Sequence, residues 1–278
     1  EWSQTDLDTF LRHAKKQIGG TWMRIVKDPS TGAWRVDRSA PNVRYDATSN
    51  TLTYVSGMTL SAVDVDDATG EALPQGVVSG IMGDCSGGVT PWGTLISAEE
   101  NVQDYYGDLE ACWSSSNAFV PESGFDAGSV IAPVFEASEA SEFGRMSDPT
   151  GRKQRDYYGY LVEIDTTVPT TQTYMSVTNG GDGSGNRKLG VMGRARWENA
   201  TFAIGSDWEL VDGQPVVVYA GDDRRSGRIY KFVSSQPFIA GMSMGEVRAL
   251  LDEGTLYVAH FAGLDVATGL TISGTTPT

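Results

Sequence analysis

Cysteines, long apolar runs and basic residues are all scarce in this sequence, and each scarcity excludes a class of protein. Cys85 and Cys112 are the only two cysteines among 278 residues, too few for a disulfide framework. No run reaches the roughly 18 consecutive apolar residues that a membrane-spanning helix needs. The formal net charge of −15 argues against nucleic acid or an anionic membrane as a partner.

Glycine is abundant, with 33 residues, and this favours a turn-rich β protein over a helical bundle. Two short helices are predicted: an amphipathic one over residues 6–16, and one that starts at a capping box of Ser243 and Glu246 and ends near Gly254. Between them, short β-forming segments alternate with turn residues such as Asp-Pro-Ser-Thr-Gly at 28–32. The first predicted strands cover residues 21–27, 34–38, 51–55 and 59–63.

The stretch from residue 84 to 101, DCSGGVTPWGTLISAEEN, combines groups that suit a metal site. The pair Gly87 and Gly88 lets the backbone turn tightly after Cys85. If residues 94–100 form a strand, Glu99 and Glu100 point to opposite faces, and we expect Glu100 to reach the same centre as Cys85. A thiolate and a carboxylate that converge in this way fit a metal ion better than a hydrophobic core.

The same stretch resembles the signature of the PhoX-type alkaline phosphatases. Further matching segments follow in the family's order: YGYLVEID at 158–165, GRARWENA at 193–200, VVYAGDDRRSGRIYKFV at 217–233 and GTLYVAHF at 254–261. The first segment is fairly specific, and the others add weight because they occur in the right order.

The resemblance implies an all-β fold, a β-propeller-like array of short antiparallel strands with two short helices. It also implies a single domain over residues 1–278 that is an incomplete propeller, with an irregular insertion at about 110–156. The implied activity is that of a secreted or periplasmic phosphomonoesterase, which releases inorganic phosphate from small phosphate esters. The implied cofactors are iron, as a ferric pair, and calcium.

Five residues are candidate metal ligands under this resemblance. Cys85 would be an iron thiolate, and Glu100 and Glu163 would be carboxylate ligands of the iron pair. Glu163 lies in an apolar segment, where a carboxylate needs a partner because burying it alone is costly. Glu198 and Asp222 are weaker candidates, for the metal or for orienting its ligands.

Two segments of the family pattern are absent from this sequence, an upstream Asn-His-Glu and a downstream Arg-Pro-Glu. We therefore expect the natural polypeptide to extend past both Glu1 and Thr278. Two alternatives stay open: a non-catalytic, propeller-like surface or assembly protein, and a calcium-dependent hydrolase of another ester. The sequence does not indicate an oligomeric state.

Overall fold

A computed structural model describes residues 9, 13–60, 63–102, 157–223 and 227–259, together with the backbone of 119–120 and 124–125. Cys112 and nearly all of the predicted insertion lie outside the described residues. Residues 13–17 are helical, and helix α1 covers Met244–Ala249. The strands are β1 (Gly20–Trp22), β2 (Ile25–Lys27), β3 (Trp34–Val36), β4 (Val43–Tyr45), β5 (Leu52–Ser56), β6 (Val77–Ser79), β7 (Asp84–Val89), β8 (Leu95–Glu99), β9 (Phe119–Val120), β10 (Gly124–Phe125), β11 (Leu161–Ile164), β12 (Arg187–Leu189), β13 (Trp197–Phe202), β14 (Pro215–Asp222), β15 (Ile229–Pro237) and β16 (Gly254–Val258).

The largest sheet has six strands in the order β6-β5-β12-β11-β8-β7. Its pairs are antiparallel except that of β5 with β12, which is parallel, with Arg187 opposite Tyr54. Strand β7 forms one edge of the sheet. Parallel strands need a long connection in the chain. Here the other four strands of the sheet, β6, β7, β8 and β11, all lie between β5 and β12 in the sequence.

The second sheet is a four-stranded antiparallel meander in the order β13-β14-β15-β16. Short antiparallel pairs are formed by β1 with β4, β2 with β3, and β9 with β10. The predicted all-β, propeller-like array is confirmed, and the sheets of the described residues do not close into a ring. None of the helices in these residues is long and apolar enough to cross a membrane.

The main core lies between the meander and one face of the large sheet. Side chains alternate along β8, so Ile96 and Ala98 face the meander while Leu95 faces the opposite side. The residues that meet them come from β14, β15 and the end of α1: Val216, Val218, Ala220, Phe232, Leu250 and Leu251. This packing brings β13 over β7 and β8, which sets the position of the candidate site described below.

Some local predictions were wrong. Residues 59, 60 and 63 are not in a strand, and the predicted strand over 21–27 is split between β1 and β2, which pair with different partners. Gly87 and Gly88 lie within strand β7, so the backbone after Cys85 is a strand and not the expected tight turn. The predicted capping box of Ser243 and Glu246 is confirmed, but the helix ends at Ala249, earlier than expected.

Gly87 allows an unusually close approach between β7 and β8. A Cβ atom at this position would lie only 1.9 Å from the carbonyl oxygen of Ile96. We expect Gly87→Ala to force the two strands apart and to lower the free energy of unfolding by about 1–3 kcal/mol, as overpacking does. Urea denaturation would measure this change.

Gly221→Ala is the matched control for that substitution. Gly221 also lies in a strand, but a Cβ atom there would have no neighbour within 4 Å. The free energy of unfolding of the Gly221→Ala variant should stay within about 0.5 kcal/mol of that of the unmodified protein. Equal stabilities of the two variants would contradict the steric explanation.

Candidate metal centre

Two β-bulges present side chains at the point where β7 meets β13. In the pairing of β7 with β8, Asp84 lies opposite Glu99, and Gly87 lies opposite Ser97. Cys85 and Ser86 therefore both oppose one residue of β8. A bulge of this kind bends the strand and redirects its side chains, and bulges are common beside active sites.

The second bulge is in β13. Trp197 lies opposite Asp222 and Asn199 lies opposite Gly221, so Glu198 is the extra residue. Trp197 is buried, with its indole N–H donated to the carbonyl oxygen of Gly193 at 3.2 Å. The tryptophan anchors the start of the strand, while the bulge directs Glu198 toward β7.

Cys85, Glu198 and Glu100 form one cluster. One ligand atom from each lies within 4.8 Å of those from the other two. The Cys85 thiol donates to Glu198 Oε1 at 3.5 Å. Glu100 directly follows β8 and is buried, Glu198 is half-buried, and Cys85 is exposed, so the cluster opens to solvent. Within the described residues, this is the only such group of three.

The electrostatics of the cluster favour a bound cation. Local desolvation and the carboxylates of Glu198 and Glu100 raise the pKa of the Cys85 thiol to about 11. A positive ion would offset the repulsion between these groups. Two ligands bonded at 2.0–2.3 Å to one metal ion lie at most about 4.6 Å apart, so the observed spacing requires only a small adjustment. One sulfur and two carboxylates suit a transition metal such as iron.

Neighbouring residues hold this cluster in place. Arg196 Nη2 donates to Glu100 Oε1 at 2.6 Å, and the side-chain amide of Asn101 donates to the other oxygen of Glu100. Asp222 is buried, and its Oδ1 accepts from the backbone N–H of Arg196 at 3.2 Å. The structure thus places Asp222 where it fixes the backbone that leads into Glu198.

Glu99 points away from the cluster, as the predicted alternation requires. It is fully buried and pairs with Lys188 Nζ at 2.7 Å, and its other oxygen accepts backbone N–H groups of Gly159 and Tyr160. Burial raises the pKa of Glu99 to about 7, against the opposing effect of Lys188. The two adjacent carboxylates therefore have separate surroundings, and Glu100 is the one that joins Cys85.

Glu163 does not lie in the cluster. It is fully buried in an ion-pair network, with Arg187 Nε at 2.6 Å from its Oε2 and Arg248 Nε at 3.0 Å from its Oε1. Trp92 and Thr94 also donate to it, at 2.7 and 2.6 Å. Burial acts to raise its pKa, but the two guanidinium groups outweigh this and hold the pKa at about 2.

Strand register explains why Glu163 is elsewhere. It lies opposite Ile96 on β8. Ile96 precedes Glu100 by four residues, a distance of about 13 Å along an extended strand. The structure therefore does not bring Glu163 together with Cys85, and its expected role as a ligand of the iron pair stays a prediction. The expectation that this carboxylate needs a partner was correct, but the partners are arginines.

The sequence reasoning gave no role to four basic residues that organise this region: Arg187, Lys188, Arg196 and Arg248. For Arg196 the only local signal was its position two residues before the candidate Glu198, because β13 begins after it and the bulge at Glu198 interrupts the alternation. For the other three no local signal exists. Arg187 meets Glu163 through the pairing of β11 with β12, and Arg248 reaches it from α1.

The fold and the cluster together define a β-propeller-like protein with a candidate metal centre at a sheet edge. The sequence profile of the family described as alkaline phosphatase PhoX matches residues 4–275. The chain therefore belongs to the PhoX alkaline phosphatase family. A comparison with curated protein sequences finds no significant match.

A solved structure supports the same assignment. The chain is similar to Pseudomonas fluorescens PhoX in complex with vanadate, a transition state analogue, with a TM-score of 0.56 and 27% sequence identity. The match covers 95% of this chain and 40% of that chain. The present chain thus spans less than half the length of the solved protein it matches.

Proposed function

We propose that this protein takes part in metal-dependent phosphomonoester hydrolysis, releasing inorganic phosphate from small organic phosphate esters. The observation that carries the proposal is the cluster of Cys85, Glu100 and Glu198, whose ligand atoms lie within 4.8 Å of one another in a chain of the PhoX family. In keeping with the family resemblance, the proposal includes a periplasmic or extracellular location.

Each residue of the cluster has a defined part in this proposal. Cys85, Glu100 and Glu198 would hold the metal ion. The ion would supply positive charge that binds phosphate oxygens, offsets negative charge and activates the attacking oxygen. Arg196 and Asn101 orient Glu100 by hydrogen bonds to its two oxygens. Such supporting contacts restrict the carboxylate to one geometry, so that little rearrangement is needed during the reaction.

Iron is the proposed metal at this cluster, because a thiolate with carboxylates suits it better than it suits calcium. Calcium prefers oxygen ligands only. Asp222 stays a prediction as a residue that binds the metal or orients its ligands, and its Oδ1 accepts from the backbone N–H of Arg196. The second iron of the expected pair likewise stays a prediction.

The cluster favours the enzyme over the non-catalytic alternative. A surface protein that had lost its metal would have no need for a thiol and two carboxylates crowded at a pair of bulges, since such crowding is unfavourable without a cation. No observation favours a different ester over a phosphate ester as substrate.

The proposal is tested on the protein at its natural length. We expect hydrolysis of p-nitrophenyl phosphate, competitive inhibition by vanadate, and bound iron by elemental analysis. Removal of the metal with a strong chelator should abolish activity, and adding iron and calcium back should restore it. Full activity in metal-free protein, or metal-loaded protein without activity on any phosphate ester, would refute the proposal.

A further inference from the structure

We propose that a pocket separate from the candidate metal centre binds a neutral saccharide. The pocket has a volume of about 480 Å³ and lies between β5, the turn that precedes β6 and residues 173–179. Small-molecule sites have volumes of about 300–1,000 Å³, so the size is suitable. Strands β5 and β7 are four steps apart in the large sheet, which puts the pocket about 19 Å from the strand that carries Cys85. Met175, which lines the pocket, is 58% exposed, so the pocket opens to solvent.

The charge of the lining favours an uncharged ligand. Among the described residues that line the pocket, Asp252 alone is charged, and none is a lysine, arginine or histidine that would attract a phosphate group. Both oxygens of Asp252 are in use: Arg187 Nη1 lies 2.8 Å from Oδ1, and the Tyr174 hydroxyl donates to Oδ2 at 2.9 Å. A cationic ligand is also disfavoured, because Arg187 Cζ already lies 4.2 Å from the centre of the Tyr174 ring.

The pocket combines an aromatic ring with hydrogen-bonding groups that no described residue uses. Tyr54 Oη and the side-chain amide of Asn179 have no partner in the part of the chain that the structure describes. Gln75 Nε2 donates to the carbonyl oxygen of Leu60 at 3.1 Å, and no described residue donates to Gln75 Oε1. A sugar presents hydroxyl groups that donate and accept, and an apolar C–H face that packs on an aromatic ring. A purely apolar ligand would leave the polar groups of the pocket without partners.

The lining is held in place before any ligand binds. Gly76 packs so closely on the Tyr54 ring that a Cβ atom at this position would lie 2.7 Å from Tyr54 Cε2. The short 3-10 helix Val177–Asn179 is fixed at its start, where the N–H of Gly181 donates to the carbonyl oxygen of Ser176 at 3.0 Å. Binding therefore requires little additional ordering of the protein, which favours affinity.

The test measures the binding of sugars to the natural full-length protein and to variants of the pocket. Tyr54→Leu removes the ring, Tyr54→Phe removes only the hydroxyl group, and Asn179→Ala removes the amide. Tyr257→Leu is the matched control, because Tyr257 is an exposed tyrosine on β16 in the other sheet. The probes are glucose, galactose, N-acetylglucosamine, maltose and cellobiose, with adenosine as a comparison ligand. Saturation-transfer NMR detects binding, and calorimetry gives the Kd.

We expect at least one of these sugars to bind with a Kd on the order of 1 mM or below, as suits a ligand of this size. Tyr54→Leu should raise that Kd by about 10-fold, since an aromatic contact contributes more than the area it buries. Tyr54→Phe and Asn179→Ala should each raise it by about 2- to 10-fold through the loss of one hydrogen bond, and Tyr257→Leu should change it by less than about 2-fold. Tyr54→Phe should keep the stability of the unmodified protein, because the hydroxyl group it removes has no partner among the described residues. This variant therefore remains decisive even if Tyr54→Leu fails to fold.

Three results would overturn the assignment of a saccharide site. If none of the sugars binds, the pocket does not take the proposed class of ligand. If a sugar binds with the same Kd to every variant, it binds elsewhere on the protein. If adenosine binds and no sugar does, the pocket takes a flat heteroaromatic ring instead. None of these measurements uses metal content or phosphatase activity, so they leave the proposed function untouched.

Discussion

Replacing Glu163 by glutamine is expected to lower the free energy of unfolding by about 3–5 kcal/mol, the usual cost of removing one partner from a buried ion pair. The substitution keeps the shape of the side chain but leaves Arg187 and Arg248 without the charge that lies 2.6 and 3.0 Å from them. Both guanidinium groups are fully buried, so water cannot replace the lost carboxylate. Urea denaturation of the purified variant measures the effect.

Glu209→Gln is the control, because Glu209 is exposed and its substitution should change stability by less than about 0.5 kcal/mol. A pH series gives a second check. The pKa of Glu163 is lowered from 4.5 to about 2, so its contribution is complete above pH 4.5 and disappears as pH falls toward 2. The stability difference between Glu163→Gln and the unmodified protein should shrink over that interval.

Metal analysis of the same variant decides between the two roles considered for Glu163. In the network described above, Glu163→Gln lowers stability while the folded fraction keeps its metal. A variant of normal stability that had lost its iron would show instead that Glu163 is a metal ligand, as first predicted from the sequence.

Cys85→Ser is expected to reduce bound iron and phosphatase activity by more than about 100-fold. Substitution of a residue that supports a metal ligand typically lowers metal affinity or activity by about 10- to 100-fold. Substitution of the ligand itself should lower them by more. A hydroxyl group has the size of the thiol but is a poor ligand for iron at neutral pH. Elemental analysis and p-nitrophenyl phosphate hydrolysis measure the two losses, and a visible thiolate-to-iron absorption band should disappear.

The adjacent Ser86→Ala variant is the control for position, since both residues are exposed at the same bulge of β7. Because Cys85 is exposed, neither variant should change the free energy of unfolding by more than about 0.5 kcal/mol. Native protein in which Cys85 is joined to Cys112 by a disulfide, or a Cys85→Ser variant with full metal and activity, would contradict the assignment.

Local signals in the sequence predicted a turn-rich β protein and several of its strands, while the propeller-like array was implied by the family resemblance. Alternation and turn residues located β3, β5 and β8, and the capping box marked the start of α1. The same signals could not indicate sheet membership. Residues 21–27 form one apolar segment in the sequence, yet β1 and β2 pair with different strands, because pairing depends on segments distant in the chain.

The candidate site was predicted in part. Period-two alternation correctly separated Glu99 from Glu100, because both belong to one strand and its continuation. Glu198 was only a weaker candidate in the sequence, since its approach to Cys85 depends on two bulges that only the register of paired strands reveals. The arginine partners of Glu163 come from β12 and α1, and no local pattern predicts them; its role as a metal ligand stays a prediction.

The parallel pairing of β5 with β12 in the large sheet has a consequence for how the protein folds. The meander of β13–β16 joins neighbours in sequence and can form as soon as it is synthesised. Strand β5 can pair with β12 only after residues 57–186, which separate the two strands, have been synthesised. Closing so long a loop is entropically costly and slow. Until residue 189 has emerged from the ribosome, β5 carries an unpaired edge that other chains can join. The step that completes this sheet is therefore where a nascent chain is most exposed to misassembly.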